Sequence, residues 1–316
     1  MTVLIDPPAW PAHGTLFSHL VSDSSLEELH AFAASIGVSR RAFDLDHYDV
    51  AAERYDLAVA TGAVPVGGRE LARRLTASGL RVPGRARRAA KADALLARWD
   101  VLLPDAREVG VELVERWHEP HRVYHGPEHL VHALDSLALL EGRPPGVPDA
   151  AGSPWRGGAP ASSARGDAAV GVTQLALWFH DAVHDGEAGR DEERSAELAG
   201  VRLAGHVDPD AVDEVVRLVL VTTDHAPAAG DDSGALVSDA DLAILGSAPD
   251  RYARYVRQVR AEYAHVPDDA FRTGRAAVLR ALLAGGTLFR TPQGATLWED
   301  RARANLAAEL AALDPA

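Results

Sequence analysis

LALWFHDAVHDG, residues 175–186, carries an apolar helical run into an adjacent histidine and aspartate, His180 and Asp181. Neighbours on a helix point about 100 degrees apart, so both reach one ion only from the crotch between their directions, with further ligands arriving from other helices. Burying an ionised Asp in so apolar a stretch costs several kcal/mol, roughly, unless a cation or a donor compensates it. A metal would supply that compensation, and the apolar flanks with the histidines upstream strengthen this reading.

Upstream, histidines crowd together as His118, His121, His125, His129 and His132. In YHGPEHLVHAL, residues 124–134, Gly126-Pro127 starts a helix, leaving His125 at its mouth and His129 in its first turn on the core side, placed to ligate a metal. His118, His121 and His132 read as satisfied structural histidines. Downstream, LVSDADLAILG, residues 236–246, sets Asp239 and Asp241 in another apolar helical run. Asp239 reads as a helix N-terminal acid, whereas Asp241 needs a buried partner and reads as a ligand.

Around these stretches, the pattern from about residue 92 onward is almost wholly helical. Segments are expected at 92–117, 127–140, 172–183, 192–204 and 209–223, with more after 248. Asp208-Pro209, and Ser247 three residues before Asp250, mark helix starts. Residues 142–167 are so rich in Gly, Pro, Ala and Ser that a mobile insertion is expected. Residues 1–85 read instead as a small α/β domain with a parallel sheet. Its strands are expected at 3–5 and 63–66 and its helices at 26–35, 50–60 and 68–78, the first opened by a Ser24/Glu27 capping box. The basic run RVPGRARRAAK, residues 81–91, reads as a solvated linker, with the second domain at 92–316.

Composition narrows the chemistry. The 316 residues are 47% hydrophobic, enough for a sizeable core, and Lys+Arg 32 against Asp+Glu 46 gives a charge of −14. Strong nucleic-acid binding is not expected of so acidic a chain. There is no cysteine, so disulfides, thiolate catalysis, iron–sulfur clusters and Cys-type zinc sites are excluded. Any metal must use His and carboxylates. The opening MTVLIDPPAW lacks the features of a signal peptide, and no run approaches the ~20 apolar residues of a membrane span, so a cytoplasmic protein is expected.

The set His129, His180-Asp181 and Asp241 resembles the HD-domain superfamily of metal-dependent phosphohydrolases. The wording YHGPEHL, ALWFHDAVHD, DEERSAELA, VTTDHA and SDADLAILG is similar to one bacterial branch of predicted HD phosphohydrolases, from about residue 100 to the C-terminal helix. The resemblance implies a mainly α fold, a helical HD-domain bundle preceded by the small α/β domain. The order YHxxxH is also similar to cyclic-nucleotide phosphodiesterases, which implies a proton-donor role for His125 and a metal-ligand role for His129. His184 departs from the branch, where its position is usually aromatic. The first eighty residues separately resemble a short conserved domain of unknown function, through MTVLIDPPAWPAHG, SHLVSD and DHYDV. In that part Asp6, His13, His19, Asp23, His47 and Asp49 are candidates for a second polar site.

A divalent ion held by two His and two Asp leaves positions for water and substrate and lowers the pKa of such a water toward neutrality. Mn, Fe, Co, Ni or Zn suits this mixed donor set better than Mg or Ca. The expected activity is hydrolysis of a small phosphorylated metabolite or nucleotide, with His125 or His225 giving a proton to the leaving oxygen and Asp181 at the reacting centre. His184 and His225 are candidates for a second metal or the phosphate pocket. Glu192 and Glu193 could orient ligands, and Arg260, Arg272 and Arg275 could hold a substrate phosphate. Two alternatives remain: a non-catalytic ligand-sensing or partner-binding module with the N-terminal domain as output, and oxygen-dependent or hydratase chemistry at the same site.

Overall fold

The computed structural model describes residues 2–12, 14–143, 165–187 and 189–313, with backbone only for 165–170. Residues up to Ala94 form one compact unit and the described residues from Leu95 onward a second, the border falling inside a helix. The molecule is mainly helical with a small N-terminal α/β part. No described helix is long and apolar enough to cross a membrane.

In the N-terminal unit the strands are β1 Val3–Ile5, β2 Trp10–Ala12, β3 Thr15–Ser22, β4 Tyr48–Ala51 and β5 Val64–Pro65, and the helices α1 Leu26–Ser35, α2 Tyr55–Thr61 and α3 Gly68–Ala77. The sheet is mixed rather than parallel. Strand β3 pairs antiparallel with β1, β2 and β4, and among the described strands only β1 and β5 run parallel. The reason is local: Ala12 pairs with Thr15, a reversal too short for the crossover that parallel strands require. The expected helix at 50–60 is split, because Val50 and Ala51 belong to β4 and the helix starts at Tyr55. Helix α1 is capped one residue later than expected, Ser25 Oγ accepting from the Glu28 N–H. SSLEE contains the capping spacing twice, and the second copy is used. The basic run after α3 is no free linker: Arg81 lies 3.5 Å from Asp46, and Arg87 pairs with Asp44 and, at 3.7 Å, with Asp46.

His30 of α1 packs edge-on to Phe43 and meets the Tyr48 hydroxyl at 2.9 Å. Burial, then the charge of Arg40, lowers its pKa from 6.5 to about 4. Between those values the unfolded chain binds the proton and the folded one does not, so folding stability falls as pH drops from about 6.5 to about 4. His30→Phe is expected to flatten this part of the stability profile, read by urea melts across that range. An unchanged slope would show that His30 does not set it.

Helix α4 Arg87–Leu102 crosses the border. The second unit continues with α5 Arg107–Trp117, α6 Pro127–Leu140, α7 Arg165–Phe179, α8 Arg190–Leu203, α9 Pro209–Val221, α10 Asp232–Leu242, α11 Pro249–Glu262, α12 Asp268–Ala284 and α13 Pro292–Leu313. The expected single helix at 92–117 is two, since Leu103 before Pro104 is driven out of helical geometry, with φ −143° and ψ 74°. The expected insertion at 142–167 lies almost wholly outside the described residues, save that α7 begins at Arg165. Helix α7 also ends at Phe179 rather than Val183, so His180 and Asp181 occupy the turn that follows it. The core is built on buried Trp99, Trp117, Trp178 and Phe179, with Trp99 and Trp178 edge to face at 5.2 Å. Helix α10 packs against both α6 and α7, which brings the ends of three helices together.

Candidate metal centre

Gly126 in extended geometry and Pro127 at the first helical position start α6, which puts His129 in its first turn, buried. The His180 N–H still bonds to the Ala176 carbonyl, extending α7 by one residue before the chain turns and Asp181 diverges. Asp241 is the penultimate residue of α10. These four side chains converge. His129 Nε2 lies 3.0 Å from His180 Nε2, 3.1 Å from Asp241 Oδ1 and 3.5 Å from Asp181 Oδ2. His180 Nε2 lies 3.2 Å from Asp181 Oδ2 and 3.4 Å from Asp241 Oδ1. Metal–ligand bonds of about 2.1 Å place neighbouring donors ~3.0 Å apart in an octahedron and ~3.4 Å apart in a tetrahedron. The observed spacings match the edges of such a shell for His129, His180 and Asp181, a group able to hold a metal, and Asp241 stands beside both histidines.

The electrostatics agree with the geometry. Burial disfavours charge on His180, but Asp181 and Asp241 outweigh it and hold its pKa well above the ordinary imidazole value. Burial likewise opposes ionisation of Asp181 and Asp241, but His180 and His129 keep both well below the usual carboxylate range. His180 Nδ1 is 2.8 Å from the Leu177 carbonyl and donates there, so Nε2 is the nitrogen turned to the carboxylates, and a cation bound there would replace its proton. Trp117 walls the cluster, its ring 5.5 Å from that of His180.

Beside this cluster stands a second one. Glu262, the last residue of α11, accepts from the backbone N–H groups of Val123, Tyr124 and His125 at 2.7, 2.9 and 3.1 Å. Its other oxygen meets His125 Nδ1 and, at 3.2 Å, His184 Nε2. Burial raises the Glu262 pKa, but the imidazoles and backbone donors overcome it and hold the carboxyl far below its usual range. The His125 and His184 rings lie 4.1 Å apart, and these two with Glu262 form a further group able to hold a metal. His225, at φ 52°, presents Nε2 3.6 Å from Asp241 Oδ2.

Two other residues organise the loops. The Arg122 side chain, fully buried, donates to the carbonyls of His125, Asp181 and Ala182 at 3.2, 2.5 and 3.1 Å, tying the two histidine-bearing segments together. Asp191 accepts from the N–H groups of Asp185, Gly186 and Glu187 at 2.8–2.9 Å and so shapes the turn after Asp181.

Several expected roles fall elsewhere. Glu193 is exposed on α8, and Glu192 caps that helix through the Gly189 N–H. Arg260 donates to the Tyr263 and Val266 carbonyls, pairs with Asp268 and covers Phe271. Arg272 reaches the Leu313 carbonyl, and Arg275 pairs with Glu309 at 2.7 Å. Arg251 and Arg254 instead line a cavity of about 40 Å³ together with Tyr124, Glu128, His129 and Gln258. Asp239 is no helix N-terminal acid: it is wholly buried and accepts from the N–H groups of Arg290 and Thr291 and the Thr291 hydroxyl. His118 and His121 meet the Val114 and His184 carbonyls, both at 2.7 Å.

In the N-terminal unit, His19 and Asp49 face each other across β3 and β4. His47 joins them, and Asp6 pairs with His19. Asp23 instead pairs with Arg74 and caps the Thr2 N–H, and His13 lies outside the described residues. Burial lowers the His47 pKa, but Asp46 and Asp49 reverse this and raise it to about 9.

Residues 3–78 match the family model described as "Protein of unknown function (DUF4031)". The chain thus carries an N-terminal DUF4031 domain, and the match stops short of the helical unit. No curated protein and no solved structure matches the chain.

Proposed function

We propose that the helical unit is a metal-dependent phosphohydrolase of HD type acting on a small phosphorylated metabolite or nucleotide. The observation that carries this reading is that Asp181 and Asp241 each lie 3.1–3.5 Å from both His129 Nε2 and His180 Nε2, themselves 3.0 Å apart, where three packed helices meet. The motifs that resemble the HD superfamily contain these same four residues. A divalent cation held there supplies a Lewis acid for a phosphoryl oxygen and a water of lowered pKa.

The chain's own residues do the rest. Glu262 holds the His125 imidazole through Nδ1 and, against the burial that lowers the His125 pKa, favours its imidazolium, the form in which Nε2 carries a proton that a leaving oxygen could take. His225, beside Asp241, is the second candidate for that step. Arg251 and Arg254 hold substrate negative charge next to His129. Burial, then the neighbouring Arg254 charge, lowers the Arg251 pKa, partly offset by Tyr124, Glu128 and Asp135. A separate cavity of about 270 Å³ is lined by His121, His184, Glu262 and Tyr263, beside the second histidine group.

The test is a phosphoester panel with protein stripped by chelator and reloaded with Mn or Co. Turnover of at least one ester that vanishes on stripping and returns on reloading is expected. Metal-loaded protein that binds phosphoesters without turning any over would replace this reading with a ligand-sensing module. Within the panel, Arg251→Ala is expected to raise KM about tenfold, ~1.4 kcal/mol of binding, with kcat changed much less. A fall in kcat at constant KM would remove Arg251 from substrate binding.

A further inference from the structure

We infer that the N-terminal unit holds a metal site of its own, in which His19, His47 and Asp49 bind a divalent transition-metal cation on the face of the sheet. Pairing of β3 with β4 sets His19 directly opposite Asp49, and directly opposed residues share a face. His47 precedes Asp49 by two residues, the strand repeat, so it adds to that face while Tyr48 between them goes into the core. One nitrogen of each imidazole and one Asp49 oxygen lie within 4.8 Å of one another, and His47 Nε2 is 3.6 Å from Asp49 Oδ1.

The surroundings distinguish this trio from ordinary surface ion pairs. Each imidazole is oriented by a buried carboxylate: Asp6 Oδ2 lies 3.0 Å from His19 Nδ1, and Asp46 Oδ1 lies 2.7 Å from His47 Nδ1. Those carboxylates are fixed in turn, Asp6 by the His19 N–H at 2.6 Å and Asp46 by the Val82 N–H at 2.7 Å. A carboxylate on one imidazole nitrogen sets the tautomer and raises the basicity of the other, which is the arrangement that metal-ligating histidines show. Arg81 and Arg87 lie beside Asp44 and Asp46, while Asp49 faces His47 and His19, where a bound cation would take the place of the imidazole proton. Two nitrogens and one carboxylate oxygen suit Zn, Ni, Co, Fe or Mn and leave positions open to solvent. The trio is wider than a filled shell, and Asp49, with its side chain 51% exposed, is the member able to close it by rotation.

The test uses the full chain, stripped by chelator, with Asp181→Ala as background so that the helical cluster is disabled. Equilibrium dialysis with Zn and the visible spectrum with Co are compared for Asp181→Ala and Asp181→Ala/Asp49→Ala. The second substitution is expected to remove one equivalent of Zn, or weaken it at least tenfold, and to abolish one Co band. Trp10, half exposed with its ring 5.2 Å from that of His19, gives a separate readout: Co quenches emission in the Asp181→Ala chain, and Trp10→Phe removes that quenching. Equal Zn binding and identical Co spectra in the two chains would overturn the site. So would an Asp49→Ala melting temperature lowered equally with and without metal, since that marks a structural ion pair alone.

Discussion

Asp181→Ala is expected to lose the metal of the helical cluster and at least about 10³-fold in phosphoester turnover, an effect on the order seen when a member of a catalytic unit is removed. Asp181 stands 3.2 Å from His180 Nε2 and 3.5 Å from His129 Nε2, so its removal opens one corner of the donor shell. It also leaves two buried imidazoles with Asp241 as their remaining carboxylate in that shell. Metal content by emission spectroscopy and turnover on the same preparation read the two losses together. The melting temperature in chelator separates them from misfolding. A variant that keeps both its metal and its activity would remove the proposed mechanism, whatever the outcome at the N-terminal site.

The second large effect is expected at Glu262, through stability as well as activity. Glu262→Ala takes the acceptor from three backbone N–H groups and two imidazoles at once, which should cost about 3 kcal/mol, since buried donors are left unpaired. The segment bearing His125 would lose its anchor to α11, and turnover should fall by roughly 10- to 100-fold even where the protein stays folded. Glu262→Gln keeps the shape and separates these parts, holding most of the stability but presenting an amide to donors that want a carboxylate. Because the folded-state pKa of Glu262 is depressed, its contribution is full above about 4.5 and fades as the pH falls further. The stability gap between parent and Glu262→Gln should therefore narrow in acid, as urea melts would show. A Glu262→Ala chain as stable and active as the parent would mean that the carboxylate organises nothing.

Glu262 also shows where reading the sequence runs out. In RAEYA, near the end of a regular helix, it looks like one more solvated acid, and the backbone it captures lies more than 130 residues away. Arg122 was hidden among the histidines of HEPHRVYH, and its buried role as a strap depends on carbonyls about 60 residues downstream. Arg260 and Arg275 erred in the opposite direction: a guanidinium was visible in the sequence, but not the carbonyls and carboxylates already occupying it. The mixed sheet escaped for a similar reason. Strand β3 is buried on two faces toward its end, so its polar/apolar alternation is weak, and its partners are set by pairing rather than by its own pattern.

What the sequence determined by itself was local: the start of α6 at Gly126-Pro127, the run that ends in His180 and Asp181, the absence of cysteine, and hence a His and carboxylate donor set. Helix starts, periodicity and side-chain chemistry act within a few residues, so they are written along the chain. Only the tertiary structure decided that three remote segments bring Asp181 and Asp241 within 3.1–3.5 Å of both His129 and His180, that Glu262 rather than Glu193 governs the neighbouring histidines, and that His19 meets Asp49 across two strands. Those distances come from burying apolar faces of helices and strands far apart in the chain, and packing of that kind leaves no local signature.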